Sequence, residues 1–440
     1  MKPFESYVGT LETLASKFLN LDIINDQDYS MMENALNGQP TKVLRSLIPL
    51  SELRQAGIFF TNRHLADQLV RLIASDIEKI KTIYDPACGV GDLLLACARR
   101  FPILEDLETT LEDWSRRLKG ADIYPQFIGA TKVRLLLLAI ERGAKIQNSS
   151  IPSVDHIFPG IQVRDTLATE EESFFFKEDC IVINPPYTMV QAPDTCIWSS
   201  GLVSQAALFV EKYVKNAPNG TKIAAILPDV LRTGTRYFRW REHIEKYAKL
   251  EELKLAGCFD SLTDVDIFIC KLHVEGNSLK SSAAWWLSEA KLDKPHRKVD
   301  DYFEVRVGPV VPHRHPMEGP SYPYIHAHQL PTWESIEVGF ECRNFSGTTF
   351  APPFVVVRRT SRPGDKYRAI GTIITGEKPV AVENHLVVLK PRSNSIHDCF
   401  KLLENFRCDK TTDWLNERIR CRHLTVAALR DLPWWSRDEF

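Results

Sequence analysis

Residues 82–100 read TIYDPACGVGDLLLACARR. Ile83 and Tyr84 form the end of an apolar stretch that meets an acid, Asp85; a turn with Gly89 and Gly91 follows, then an apolar run long enough for a helix. This is a strand, a glycine turn and a helix. Glycines at such a turn let the backbone come close to a ligand, while the helix N-terminus presents unpaired N–H groups. Leu94 stands where the third glycine of a Gly-x-Gly-x-x-Gly dinucleotide turn would be, and no Gly-Lys-Ser/Thr follows to hold a triphosphate.

Outward from this turn, helix and strand alternate for roughly 200 residues. Leu65 to Ile77 reads as a helix, LKGADIY (118–124) as a strand, Gln126 to Arg142 as a strongly apolar helix, and IQVRDTL (161–167) and CIVINPP (180–186) as strands. Gln205 to Lys215 predicts a helix, KIAAILP (222–228) a strand, and Tyr237 to Lys249 a helix. Two further strands, 250–258 and 266–274, are separated only by a short loop, which predicts an antiparallel hairpin at the sheet edge. The expected fold is therefore α/β: a doubly wound, mainly parallel Rossmann-like sheet with a terminal antiparallel hairpin. A smaller β-rich α+β region follows, marked by FVVVRR, AIGTIIT, NHLVVLKP and a helix near 396–406. The expected divisions are a helical segment over 1–50, a catalytic domain over 51–290 and a recognition domain over 291–440.

Two acids qualify the ligand. Asp85 ends the first strand; Asp122, ending the next, sits where this fold class uses a carboxylate to accept hydrogen bonds from ribose hydroxyls. The ligand thus has a ribose and a cationic part but no pyrophosphate. S-adenosylmethionine meets these conditions better than a nicotinamide dinucleotide.

CIVINPPYTMV (180–190) supplies the second half of a site. Pro185 and Pro186 cannot donate to a strand ladder, so they end the strand and leave carbonyls rigidly aimed. Asn184 adds a side-chain carbonyl and Tyr187 a flat ring. Two acceptors beside a stacking platform suit a planar amine with two N–H donors, such as the 6-amino group of adenine. Holding both hydrogens draws that nitrogen toward tetrahedral geometry and frees its lone pair for in-line attack on a methyl sulfonium. Positioning then supplies most of the acceleration. The competing reading is a simple Pro-Pro turn, which the preceding glycine turn and spaced acids outweigh.

With these motifs in this order, the chain resembles the N6-adenine DNA methyltransferases of restriction–modification systems, by motif over about residues 55–275 and by arrangement beyond. The resemblance implies a cofactor loop at Asp85, Pro86, Ala87, Cys88, Gly89 and Gly91, with Asp122 and Ile123 beside it, and a catalytic tetrad Asn184, Pro185, Pro186 and Tyr187. It also implies cofactor contacts for Asn184, for Phe60 and Thr61 in GIFFTN (57–62), and for Asp165 and Thr166 in VRDTL (163–167). Asn62 stands where the family usually has proline, and Arg164 where it usually has glycine. ENHLVVLKP (383–391) is similar to a piece of the family's recognition domains.

The formal net charge is −2, yet residues 291–440 hold 23 Lys and Arg against 19 Asp and Glu, a net of +4 that leaves −6 for residues 1–290. VVVRRTSRPGDKYR (355–368) concentrates Arg358, Arg359, Arg362, Lys366 and Arg368 against Asp365 alone, the expected docking region for double-stranded DNA. Adenine within a duplex must be flipped out to reach a pocket at a strand end, at a cost of a few kcal/mol. Trp198, Tyr237, Phe238 and Trp240 read as core.

Ten cysteines without a Cys-x-x-Cys pair predict neither a disulfide framework nor a zinc site; Cys88, Cys97, Cys180, Cys258 and Cys270 lie in apolar segments as small core residues. The pairs His313/His315 and His326/His328 lie among prolines and read as loop histidines, so no metal is expected. No apolar run approaches the length of a membrane span, and the acids in MKPFESYVGTLETLASKF do not suit a signal peptide, so a cytoplasmic location is expected. A cognate restriction endonuclease or other defence subunit is a further expected partner. The competing functions are methylation of RNA adenine or of a protein glutamine amide, since Asn-Pro-Pro-Tyr serves those substrates too, and a non-catalytic DNA-binding subunit, against which intact Asn184 and Tyr187 speak.

Overall fold

The structure is a computed structural model and describes residues 2–75, 77, 80–146, 154–168, 180–260, 265–275, 285, 297–328, 330–339, 341–420 and 422–435. The chain divides into two compact units, one of residues 1–232 and 236–284, the other of 233–235 and 285–440. The boundary expected at residue 290 lies outside the described residues.

The first unit is built on one seven-stranded sheet. Its strands are β1 (Ile83–Asp85), β2 (Leu118–Asp122), β3 (Ile161–Val163) and β4 (Cys180–Ile183); β5 (Met189–Gln191) and β6 (Leu202–Ser204) pair apart as a ribbon; and β7 (Lys222–Pro228), β8 (Ala248–Cys258) and β9 (Asp266–Val274) complete the sheet. The order is β3-β2-β1-β4-β7-β9-β8. β1, β2, β3, β4 and β7 run parallel, and β9 is antiparallel to both β7 and β8. The strand order reverses between β1 and β4, so a crevice opens at their carboxyl ends. All four residues of β4 are at most 2% exposed, as a central strand covered on both faces requires, and this explains its unbroken apolar run.

Helices α1 (Glu5–Leu19), α2 (Asp26–Leu36), α3 (Gln39–Leu47) and α4 (Leu50–Ala56) precede the sheet. The α1 stripe Tyr7, Leu11, Leu14 and Phe18 is buried in the same core as the sheet helices, with Phe4 edge-on to Phe127 at 5.4 Å. Helices α5 (Arg63–Arg71), α6 (Asp92–Ala98), α7 (Leu107–Arg117) and α8 (Pro125–Glu141) flank β1 and β2 in the chain. Asn62 caps α5, its Oδ1 accepting the Leu65 N–H at 2.9 Å, so the departure from proline has a local role. The helix expected at 237–249 runs only from Phe238 to Ile244, because buried Ala248 already begins β8.

In the second unit the strands are β10 (Phe303–Val307), β11 (Ser321–Ile325), β12 (Ser335–Glu337), β13 (Cys342–Asn344), β14 (Phe354–Arg358), β15 (Gly371–Thr375), β16 (Ala381–Val382) and β17 (Leu386–Pro391). Five form a sheet in the order β10-β17-β14-β15-β12, and β13-β11-β16 form a smaller one. Alternation divides the central strands: Val355, Val357, Val387 and Leu389 pack with Leu402, Phe406 and Leu429 of the C-terminal helices, while Phe354, Val356 and Val388 pack with Ile325 and Val380.

Two expected core residues are not core. Phe238 is 51% exposed although Trp198, Tyr237 and Trp240 are buried. Cys258 is exposed because it closes the edge strand β8. Among the described residues no helix is long and apolar enough to cross a membrane.

Candidate active site

The carboxyl ends of β1, β2 and β4 place the glycine turn, Asp122 and the Asn-Pro-Pro-Tyr segment around one cleft, with about 550 Å³ of empty space partly open to solvent. Gly57, Phe60, Ala87, Gly89, Asp122 and Ile123 are among the residues that line it. Asn184, Pro185, Pro186 and Tyr187 line it too.

The glycine turn is tightly specified. Gly89 and Gly91 have φ of 53° and 85°, in the region that favours glycine. A Cβ on Gly91 would lie 2.6 Å from Thr131 Cγ2, and one on Gly89 would lie 3.3 Å from the Phe60 ring. The Gly89 N–H donates to Asp122 Oδ2 at 3.0 Å, and the Tyr124 N–H to Asp122 Oδ1 at 3.0 Å. Burial pushes the Asp122 carboxyl up to about 6 against the pull of these N–H donors.

Asn184 is held from both sides. Its Nδ2 donates to Thr61 Oγ1 at 2.9 Å, and Tyr187 OH donates to its Oδ1 at 2.7 Å. Burial pushes the Tyr187 phenol well up, so it remains a donor. A carbonyl oxygen has two lone pairs, so Oδ1 keeps one for a further donor. Among the described residues no hydrogen-bond donor takes the Pro185 carbonyl, the second acceptor. Tyr187 therefore orients the amide through its hydroxyl while its ring lies edge-on to Phe259 at 5.9 Å.

Thr61, Asp85, Pro86, Cys88, Gly91, Asp165 and Thr166 are not among the lining residues. Thr61 is buried against Asn184. Asp85 is 1% exposed and accepts the Ala87 N–H at 3.1 Å; burial, with the Asp122 charge adding, pushes its carboxyl well up. Thr166 donates to the Pro86 carbonyl at 2.9 Å, bracing the loop. Asp165 is exposed, and its Oδ1 accepts the Leu167 and Ala168 N–H groups at 3.1 Å each.

Phe59 was not legible as a site residue. Phe59 lines the cleft and meets Phe259 edge-on at 6.3 Å. Phe259 follows β8, whose direction matches β7 because β9 is antiparallel to both; strand polarity thus carries it to the sheet end that holds β4's tetrad.

In the second unit the basic cluster is divided. Arg362 and Lys366 are exposed. Arg358 and Arg359 are half-buried, donating to the carbonyls of Leu330 (2.6 Å) and Asn384 (3.1 Å). Arg368 is 0% exposed, donating to the carbonyls of Ser361 at 3.1 Å and Ile419 at 2.9 Å, so it is a core residue of this unit.

The sheet order, the glycine turn and acids, and the tetrad at the switch point define a doubly wound α/β unit with a ligand crevice at its switch point. Residues 48–231 match the model of the N-6 DNA Methylase family. No curated protein matches the chain. Among solved structures, a modification subunit assigned to a type I restriction enzyme of Vibrio vulnificus YJ016 is 16% identical with a TM-score of 0.39, covering 58% of this chain and 51% of its own. The chain thus spans about half the length of that relative. The M protein of the type I restriction enzyme EcoKI is 15% identical (TM-score 0.35; 62% and 63% covered). The type IIL restriction-modification enzyme MmeI, solved in complex with DNA, is 12% identical (TM-score 0.47; 94% and 68% covered).

Proposed function

We propose that the chain is a DNA methyltransferase acting on the 6-amino group of a flipped-out adenine, with S-adenosylmethionine as cofactor and a role in restriction–modification or a similar defence. The observation that carries the reading is the shared cleft: the Asn184 amide and the glycine turn with Asp122 face one space. The residues fit the cofactor. Asp122 is a partly desolvated acceptor for ribose hydroxyls, and Gly89 keeps the backbone open beside the Phe60 ring. When bound, the cofactor supplies a methyl group on an electrophilic sulfonium.

The residues of the chain do the rest. Asn184 Oδ1 and the Pro185 carbonyl accept the two hydrogens of the amine, and Tyr187 and Thr61 hold the amide in the required orientation. The nitrogen lone pair then forms the N–C bond as the S–C bond breaks, and the proton leaves once the nitrogen is positively charged. Phe59, backed by Phe259, offers an aromatic surface to confine a planar base. DNA docking falls to the second unit, with Arg362 and Lys366 as the exposed cations of the basic stretch.

The test is transfer of a tritiated methyl group to unmethylated duplex DNA, RNA and protein in parallel, with Asn184→Ala as control. Label on DNA as N6-methyladenine, lost in the variant, is expected. Label only on RNA or on glutamine would move the substrate, and no label anywhere would defeat the enzymatic reading.

A further inference from the structure

Helix α8 is buried almost all round, yet its middle carries Thr131 and Arg134, both 0% exposed. A guanidinium in such a place is tolerable only when its donors are satisfied. Arg134 Nε donates to the Ala35 carbonyl at 2.8 Å, Nη1 to the Val90 carbonyl, and Nη2 to Asp92 Oδ1 at 2.9 Å. Three residues earlier on the same face, Thr131 Oγ1 donates to the Gly89 carbonyl at 2.9 Å. Two side chains one turn apart thus hold the acceptors of Gly89, Val90 and Asp92. The peptide of Gly89 is fixed at both ends, by Asp122 on its N–H and Thr131 on its carbonyl. Ala35 lies in the last turn of α2, where helix carbonyls lack intrahelical partners, so Arg134 also ties the N-terminal helices to the turn.

We propose that Thr131 and Arg134 are positioning residues that set the geometry of the glycine turn for the cofactor, coupling it to the N-terminal helices without lining the cleft. The proposal rests on the reading of the cleft as a cofactor site. It separates turn geometry from chemistry: loosening the turn weakens cofactor binding and leaves turnover at saturating cofactor in place.

Thr131→Val keeps the shape and removes the donor to Gly89. Arg134→Lys keeps a cation but cannot span three acceptors. In the full chain, well below the melting temperature, calorimetric titration with S-adenosylmethionine should show Kd raised about 3- to 10-fold for Thr131→Val, the range for one lost hydrogen bond. Arg134→Lys should raise it further and Arg134→Met most of all, with kcat at saturating cofactor within about twofold. Leu136→Ala, on the opposite face of α8 at 100° per residue, should lower stability without moving Kd. Kd within twofold of wild type in Thr131→Val and Arg134→Lys, or an equal rise in Leu136→Ala, overturns the proposal. Failure of the wild-type chain to bind the cofactor overturns the cofactor reading itself, and the proposal with it.

Discussion

Lowering the pH from 7 to 5 is expected to weaken cofactor binding about tenfold through Asp122, whose carboxyl burial raises to about 6. Only the carboxylate can accept from both ribose hydroxyls, so protonation competes with the ligand. A group titrating near 6 is about ten-elevenths ionised at pH 7 and about one-eleventh at pH 5, which sets the tenfold figure. The same shift has a stability consequence of fixed sign. The folded value lies above the unfolded value near 3.9, so the folded chain holds this proton more tightly. The Asp122 contribution is therefore most favourable below about pH 4, declines by about 3 kcal/mol as pH rises through about 6, and is constant above. Equilibrium dialysis with labelled S-adenosylmethionine from pH 5 to 8, on wild type and Asp122→Asn, measures the binding arm. The Asn variant should bind more weakly at pH 7 and lose the slope. A wild-type Kd that is flat over this range, or an Asn variant with the same slope, refutes the assignment of Asp122.

Four further outcomes follow from the geometry. Gly91→Ala places a Cβ 2.6 Å from Thr131 at φ 85°, so equilibrium denaturation should show a loss of about 2–4 kcal/mol, partly restored by adding Thr131→Ser. Tyr187→Phe keeps the ring but removes the donor to Asn184, and kcat in the methyl-transfer assay should fall about 3- to 10-fold while DNA affinity holds. Replacing exposed Arg362 and Lys366 together by Ala should weaken DNA binding and flatten its salt dependence without changing stability, as gel-shift titrations at several salt concentrations would show. Arg368→Ala should instead unfold the second unit more easily by about 2–4 kcal/mol, since it strands two buried carbonyls.

Much of the fold was legible locally. Turn chemistry announced the step from β1 to α6, and the unbroken run before Asn184 announced a strand covered on both faces. The second unit's central strands were legible as β-branched runs, but their two buried faces were not, since apolar continuity hides which neighbour covers which side. The helix starting at Phe238 was over-read because residues 246–249 carry no sharp stop; a strand at the sheet edge claims Ala248 and Lys249 instead.

The amino-acid sequence by itself determined the strand-turn-helix, the acid at the end of β2 and the rigid ending of β4, because backbone restriction by glycine and proline acts within a few residues. The tertiary structure alone decided which side chains meet. It set Asn184 against Thr61, packed Phe259 edge-on to Tyr187, left Asp165 outside the lining, and withdrew Arg368 into a core. Those outcomes depend on strand polarity and on burial against residues tens to hundreds of positions away, and a local pattern of residue types does not encode such distances.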